Sequence, residues 1–179
     1  GQTCVLRNSH SRITWGSRCS PQQKKSTGAS AAEAPASRIQ ADLIDFSQNT
    51  RSTKEKFALI LVDVYSREVR AKPIINKKPE IVNAAMRELM PTLVGEKQDY
   101  SSTTDKGKEF SRLEDGGIPT EAAHREKKAL QDISVIDRAM QGVKQDQAAI
   151  VADGDARNWV EALPIAVSAH NAWPHSAVF

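Results

Sequence analysis

FALILVDVYSREVRAKPI, residues 57–74, reads as two strands and the turn between them. Phe57 to Tyr65 is a near-continuous apolar run, short and rich in β-branched residues, which suits a central strand buried on both faces. SREV makes the turn, and Arg67 to Ile74 alternates like a strand returning beside the first. Upstream, RIQADLIDF (residues 38–46) has strand length and content, yet it lodges Asp42 and Asp45 among apolar residues. Carboxylates inside a strand need a reason. The three segments together predict an antiparallel meander.

Working outward, Pro79 opens a helix whose Ile81, Ala84, Ala85, Leu89 and Leu93 fall on one stripe, with Pro91 expected to kink or end it. Lys97 to Thr104 is a polar fourth strand, and DKGKEF (residues 105–110) has the glycine of a tight turn opening a short helix. After the turn Asp115-Gly116-Gly117, residues 118–125 form a short fifth strand and Glu126 to Leu130 a loop. Gln131 to Val151 is helical, with Ile133, Ile136, Met140 and Val143 on one face and Asp137 at its edge. The last helix, Arg157 to Trp173, repeats Trp159, Leu163, Ala166, Val167 and His170, with Pro164 as an interior break. The layout is α/β.

A chain of 179 residues has room for one real core and a tail. No apolar run approaches the ~18 residues of a membrane span, and the charged fraction of 26% with 39% hydrophobic residues does not reach the disordered class. The net charge of +3 is uneven: Gly1 to Ser37 holds five basic residues against one acid, leaving residues 38–179 near neutral. Ser20 to Ser37 is a Ser/Ala/Gln/Lys stretch without apolar period, so residues 1–37 read as a flexible basic tail and 38–179 as the domain. Both cysteines, Cys4 and Cys19, lie in the tail, which argues against a disulfide framework and for an intracellular setting.

The order RIQADLIDF, ALILVDVYSREVRAKPI, TTDKGKEF, DISVIDRAMQGVK, NWVEALPIAVSAHNAWPH resembles the catalytic core of retroviral and retrotransposon integrases. These are ribonuclease H-like polynucleotidyl transferases. The family's first acid follows a WQxD-like sequence, matched by Ile39-Gln40-Ala41-Asp42, and its second opens TDxGxEF, matched by Thr104 to Phe110. Its third is the Glu of a helical VER or VIE sequence with a basic residue seven positions on. Here Val135-Ile136-Asp137 and Lys144 stand there, and the acid is Asp. A further family feature, a zinc-binding motif ending in CxxCQxxK, is not matched, because Cys19-Ser20-Pro21-Gln22 lacks the second Cys.

The resemblance implies a mixed five-stranded sheet flanked by helices, and Asp42, Asp105 and Asp137 as both catalytic residues and ligands of Mg²⁺ or Mn²⁺. Carboxylate oxygens suit these ions, and a metal pair about 3.5–4 Å apart serves the in-line displacement of a phosphodiester. Lys144, Arg138 and Lys106 are the candidate nucleic-acid contacts. The expected activity is 3′-end processing and strand transfer on DNA of a mobile element, by a homo-oligomer in the nucleus or elsewhere inside the cell. A catalytically inactive DNA-binding or assembly module of the same descent is the alternative. Asp63 and Asp45 remain alternatives to Asp42 as the first acid, and Asp132 and Glu126 to Asp137 as the third. Asn171 and His175 are read as helix termination and packing.

Overall fold

The computed structural model describes residues 32–49, 53–96, 99–104, 107–110, 123–126 and 134–173. Its elements run β1 (Arg38–Asp45), β2 (Phe57–Asp63), β3 (Val69–Ile74), α1 (Pro79–Val94), β4 (Ser101–Thr104), β5 (Ala123–Glu126), α2 (Ser134–Ala152) and α3 (Trp159–Ala172). Single 3-10 turns lie at Ser47–Asn49 and Lys108–Phe110.

The sheet is mixed, in the order β3-β2-β1-β4-β5. β1 to β3 form the antiparallel meander, with Gln40 opposite Val62 and Val62 opposite Val69. β4 lies parallel to β1, with Ala41 beside Thr104. β1 to β4 make the body of the sheet, and β5 joins through parallel backbone pairing with β4.

Strand alternation divides the core between the two faces. Ile44, Ala58, Ile60, Val62 and Val69 meet Val135, Ile136, Ala139, Val143, Trp159, Leu163 and Ala166 of α2 and α3. On this side Phe46 stacks on Trp159 with ring centroids 4.4 Å apart. The opposite face sets Ile39, Ala41, Leu59, Leu61 and Ile74 against Val82, Ala85, Met86 and Met90 of α1, with Phe110 closing the layer. β2 supplies both sets, and Ala58 to Val62 are all fully buried.

Local details differ from the sequence expectation. Of the expected α1 stripe, Ala85 is buried and Ile81, Leu89 and Leu93 pack partly buried on the same core, which Val82, Met86 and Met90 enter more deeply; Ala84 is exposed. The core-facing side of α1 is therefore wider than the expected stripe and centred further toward the bulky methionines. Neither Pro91 nor Pro164 breaks its helix. Pro91 instead starts the last turn of α1: its carbonyl accepts the N–H of Gly95 at 2.9 Å, and Gly95 turns the chain out with φ 62°. Pro164 sits among Ala162, Leu163 and Ala166, whose burial holds α3 together across one missing backbone donor. β4 is shorter than expected, and the chain already engages the body before Arg38: Ala32 packs on the α2/α3 layer.

Candidate functional site

Gln40 is the residue on which the site is built. It lies in β1 with 1% exposure, and its Oε1 accepts the backbone N–H of Ile136 at 3.0 Å. The first N–H groups of a helix lack partners within the helix, so a buried amide oxygen is a strong anchor for the start of α2. The anchor seats Ile136 in the core and delivers Asp137, the next residue, to the exposed side of the same turn.

Asp42 lies two residues beyond Gln40 on β1, and alternation puts it on the same face as Gln40 and Ile44, the face covered by α2. It is partly exposed, and its Oδ1 accepts the N–H of Leu43 at 2.7 Å. β1 and α2 thus each contribute one carboxylate on one side of the sheet. Asp105 and Lys106 lie outside the described residues, although Thr104, the residue before Asp105, is aligned with Ala41, the residue before Asp42. Gly107 opens the 3-10 turn, accepting the Phe110 N–H at 3.0 Å, and Phe110 is buried against α1. Ser102, Thr103 and Thr104, at the end of β4, are buried as well.

Lys144 is exposed on α2, and its charge, after Ser47 and Lys77, helps hold the Asp45 carboxyl below its ordinary value. The larger cause there is hydrogen bonding from Ser47, whose N–H reaches Asp45 Oδ1 at 2.8 Å. Lys144 thus lies within electrostatic reach of Asp45, at the end of β1, whereas Ile136 is bonded to Gln40. Arg138 is exposed in the first part of α2. Asp132 and His175 lie outside the described residues, and of Glu126 only the backbone, in β5, is described.

Asp63 has a different duty. It is 3% exposed at the end of β2, opposite Ile39, with both oxygens engaged. Oδ1 accepts the Tyr65 N–H at 3.1 Å; Oδ2 accepts the N–H groups of Ala36 and Ser66, both at 3.1 Å, and the Ser66 hydroxyl at 2.7 Å. This carboxylate braces a turn and pins the segment before β1. Asn171 also serves packing: its Oδ1 accepts the Val69 N–H at 2.8 Å and its Nδ2 donates to the Val69 carbonyl at 2.9 Å. An amide side chain here imitates a strand neighbour for β3.

Sequence reasoning placed Gln40 in a motif without giving it a task. The signal was available, since Gln40 is a polar side chain at a position where strand alternation requires burial. Carboxylate oxygens are the ligand chemistry of Mg²⁺ and Mn²⁺, so Asp42 and Asp137 fit such ions in kind. Among the described residues, no group of three His, Cys, Asp or Glu is gathered for a metal. No helix of the described residues is long and apolar enough to cross a membrane.

Comparison with known proteins adds the fold. No family model and no curated protein matches the chain. Among solved structures it is similar to the catalytic core domain of BIV integrase, at 19% identity and a TM-score of 0.62, over 79% of this chain and 87% of that one. At this identity the likeness concerns the fold, and the mixed α/β architecture described above is one it shares with an integrase catalytic core.

Proposed function

We propose that this domain is a ribonuclease H-like polynucleotidyl transferase that performs metal-dependent strand transfer on DNA, with Asp42, Asp105 and Asp137 as its carboxylates. The observation that carries the reading is the clamp between Gln40 and Ile136, which ties the Asp137 turn of α2 to β1 two residues before Asp42. The parallel pairing of Ala41 with Thr104 supports a third contribution from Asp105, one peptide bond further on. In the reaction, a water or a 3′ hydroxyl oxygen forms a bond to phosphorus while the bond to the leaving 3′ oxygen breaks. Mg²⁺ or Mn²⁺ held by the three carboxylates would supply activation of the attacking oxygen and charge stabilisation. Lys144, Arg138 and Lys106 would contact DNA phosphates.

The test is cleavage and joining of a labelled duplex in Mg²⁺ or Mn²⁺. Parent activity that vanishes in Asp42→Asn and in Asp105→Asn, with the fold intact, supports the reading; equal activity in those variants rejects it. The alternative, an inactive DNA-binding or assembly module, is favoured by one observation: Asp137 is a methylene shorter than the Glu of the family that the motifs resemble. Duplex binding without cleavage in either metal would select it.

A further inference from the structure

The turn between β2 and β3 is braced more heavily than a simple connection requires. Asp63 N–H donates to the Glu68 carbonyl at 3.0 Å and Arg67 N–H to the Asp63 carbonyl at 2.9 Å, in addition to the bonds accepted by the Asp63 carboxylate. Inside this frame Arg67 is held at φ 66°, a left-handed conformation that non-glycine residues rarely adopt. An arginine kept where glycine would be easier points to a use for its side chain.

That side chain has an uncommon neighbour. Gln40, Val62 and Val69 form one row across β1, β2 and β3; Ile136 is anchored on Gln40, and the turn springs from the other two. Arg138 follows Ile136 by two residues near the start of α2, and so stands close to this row. Arg67 is half-buried, and burial first, then the nearby charge of Arg138, pull it below its ordinary value, with Asp63 partly opposing them. Among the described residues, neither the Arg67 nor the Arg138 guanidinium has an ion pair or a hydrogen bond. Tyr65, on the same turn as Arg67, is 41% exposed.

We propose that Arg67 and Arg138 form a phosphodiester-binding pair that holds the backbone of a nucleic acid across the β2–β3 turn and the start of α2. This rests on the strand-transferase reading and adds Arg67 to its contacts. The charges of Arg67 and Arg138 act against one another, and a phosphate held by both would convert that repulsion into two charge-assisted contacts. The exposed ring of Tyr65 favours a nucleic acid over free phosphate, since a base can stack on it.

The experiment measures duplex affinity of the full chain as a function of salt, for the parent and for Arg67→Gly, Arg67→Lys, Arg138→Gln and the double variant Arg67→Gly/Arg138→Gln. Glycine accepts the backbone conformation of Arg67, so the turn is kept; circular dichroism verifies this. The log–log salt slope should fall by roughly 0.9 for each arginine removed, with little dependence on DNA sequence, and Arg67→Lys should retain most of it. Unchanged slopes in the folded double variant would overturn the pair while leaving the strand-transferase reading standing. The second arm follows thermal stabilisation by inorganic phosphate. If the parent binds no duplex, the nucleic-acid partner is overturned and the strand-transferase reading fails with it, even where phosphate stabilises the parent and not the double variant.

Discussion

Gln40 and Ile136, ninety-six residues apart in sequence, are joined inside the protein by one hydrogen bond of 3.0 Å from the Ile136 N–H to the Gln40 side-chain oxygen. That bond couples the central strand to the helix carrying Asp137, so the position of one candidate carboxylate depends on a side chain beside another. Gln40→Leu should cost about 1–3 kcal/mol in urea unfolding, since it leaves a buried donor unpaired. Duplex cleavage should fall further than the folded fraction does, because the Asp137 turn loses its anchor. Cleavage tracking the folded fraction alone would show that the bond serves only stability.

Two aspartates in neighbouring strands should respond in opposite ways. Asp63→Asn replaces one acceptor oxygen by a donor where four hydrogen atoms converge, and should destabilise by about 2–3 kcal/mol. Asp42→Asn, at a partly exposed carboxylate, should leave the melting temperature unchanged or slightly raised, while metal-dependent activity disappears. A melting curve and a cleavage assay on both variants check this, and reversed results would exchange the roles of the two residues.

Tyr100 supplies a pH prediction. Its ring is 3% exposed, its hydroxyl has no hydrogen-bond partner among the described residues, and burial pushes the phenol up to about 12. The folded value lies above the unfolded one of roughly 10, so the stabilisation is present below about pH 10 and is lost as pH climbs toward 12. Tyr100→Phe should be as stable as the parent or more so by about 1 kcal/mol at pH 7. It should also lose less stability than the parent between pH 10 and 12, measured by denaturant titration.

At the third acid, Asp137→Glu extends the carboxylate by roughly 1 Å, a displacement that can change a positioned reaction about a hundredfold. With the Gln40 anchor in place and Lys144 kept in register, the expected result is lower cleavage from crowding. Gain of cleavage from near nothing would instead mark a decayed active site, and the same assay in Mg²⁺ and in Mn²⁺ distinguishes the two.

The tail prediction is electrostatic. Residues 1–31, ahead of the Ala32–Ser37 segment that packs on the body, carry five basic residues and no acid, and phosphate contacts set the salt dependence of binding. Deleting them should flatten the log–log salt slope of duplex binding; an unchanged slope would remove the tail from the DNA contacts.

Local periodicity was enough to find the meander, the three helices and the strand-borne Asp42, because alternation and the 3.6-residue repeat are written into neighbouring residues. Apolar residues at Phe57 to Val62 and at Ile136 and Val143 announce their burial without any knowledge of partners. The order of depth within α1 was not legible in this way: Ile81 and Leu89 and the row of Val82, Met86 and Met90 are almost equally apolar and all pack on one core, and only the space left by Leu59, Leu61 and Phe110 buries the second row more deeply. The tasks of Gln40, Asp63 and Asn171 were hidden for a related reason. A polar side chain looks alike in sequence whether it faces solvent, a ligand or a backbone group far along the chain. Tertiary packing alone brought Ile136 to Gln40, Ala36 to Asp63 and Val69 to Asn171, since a buried polar group is tolerable only where the fold supplies its partner.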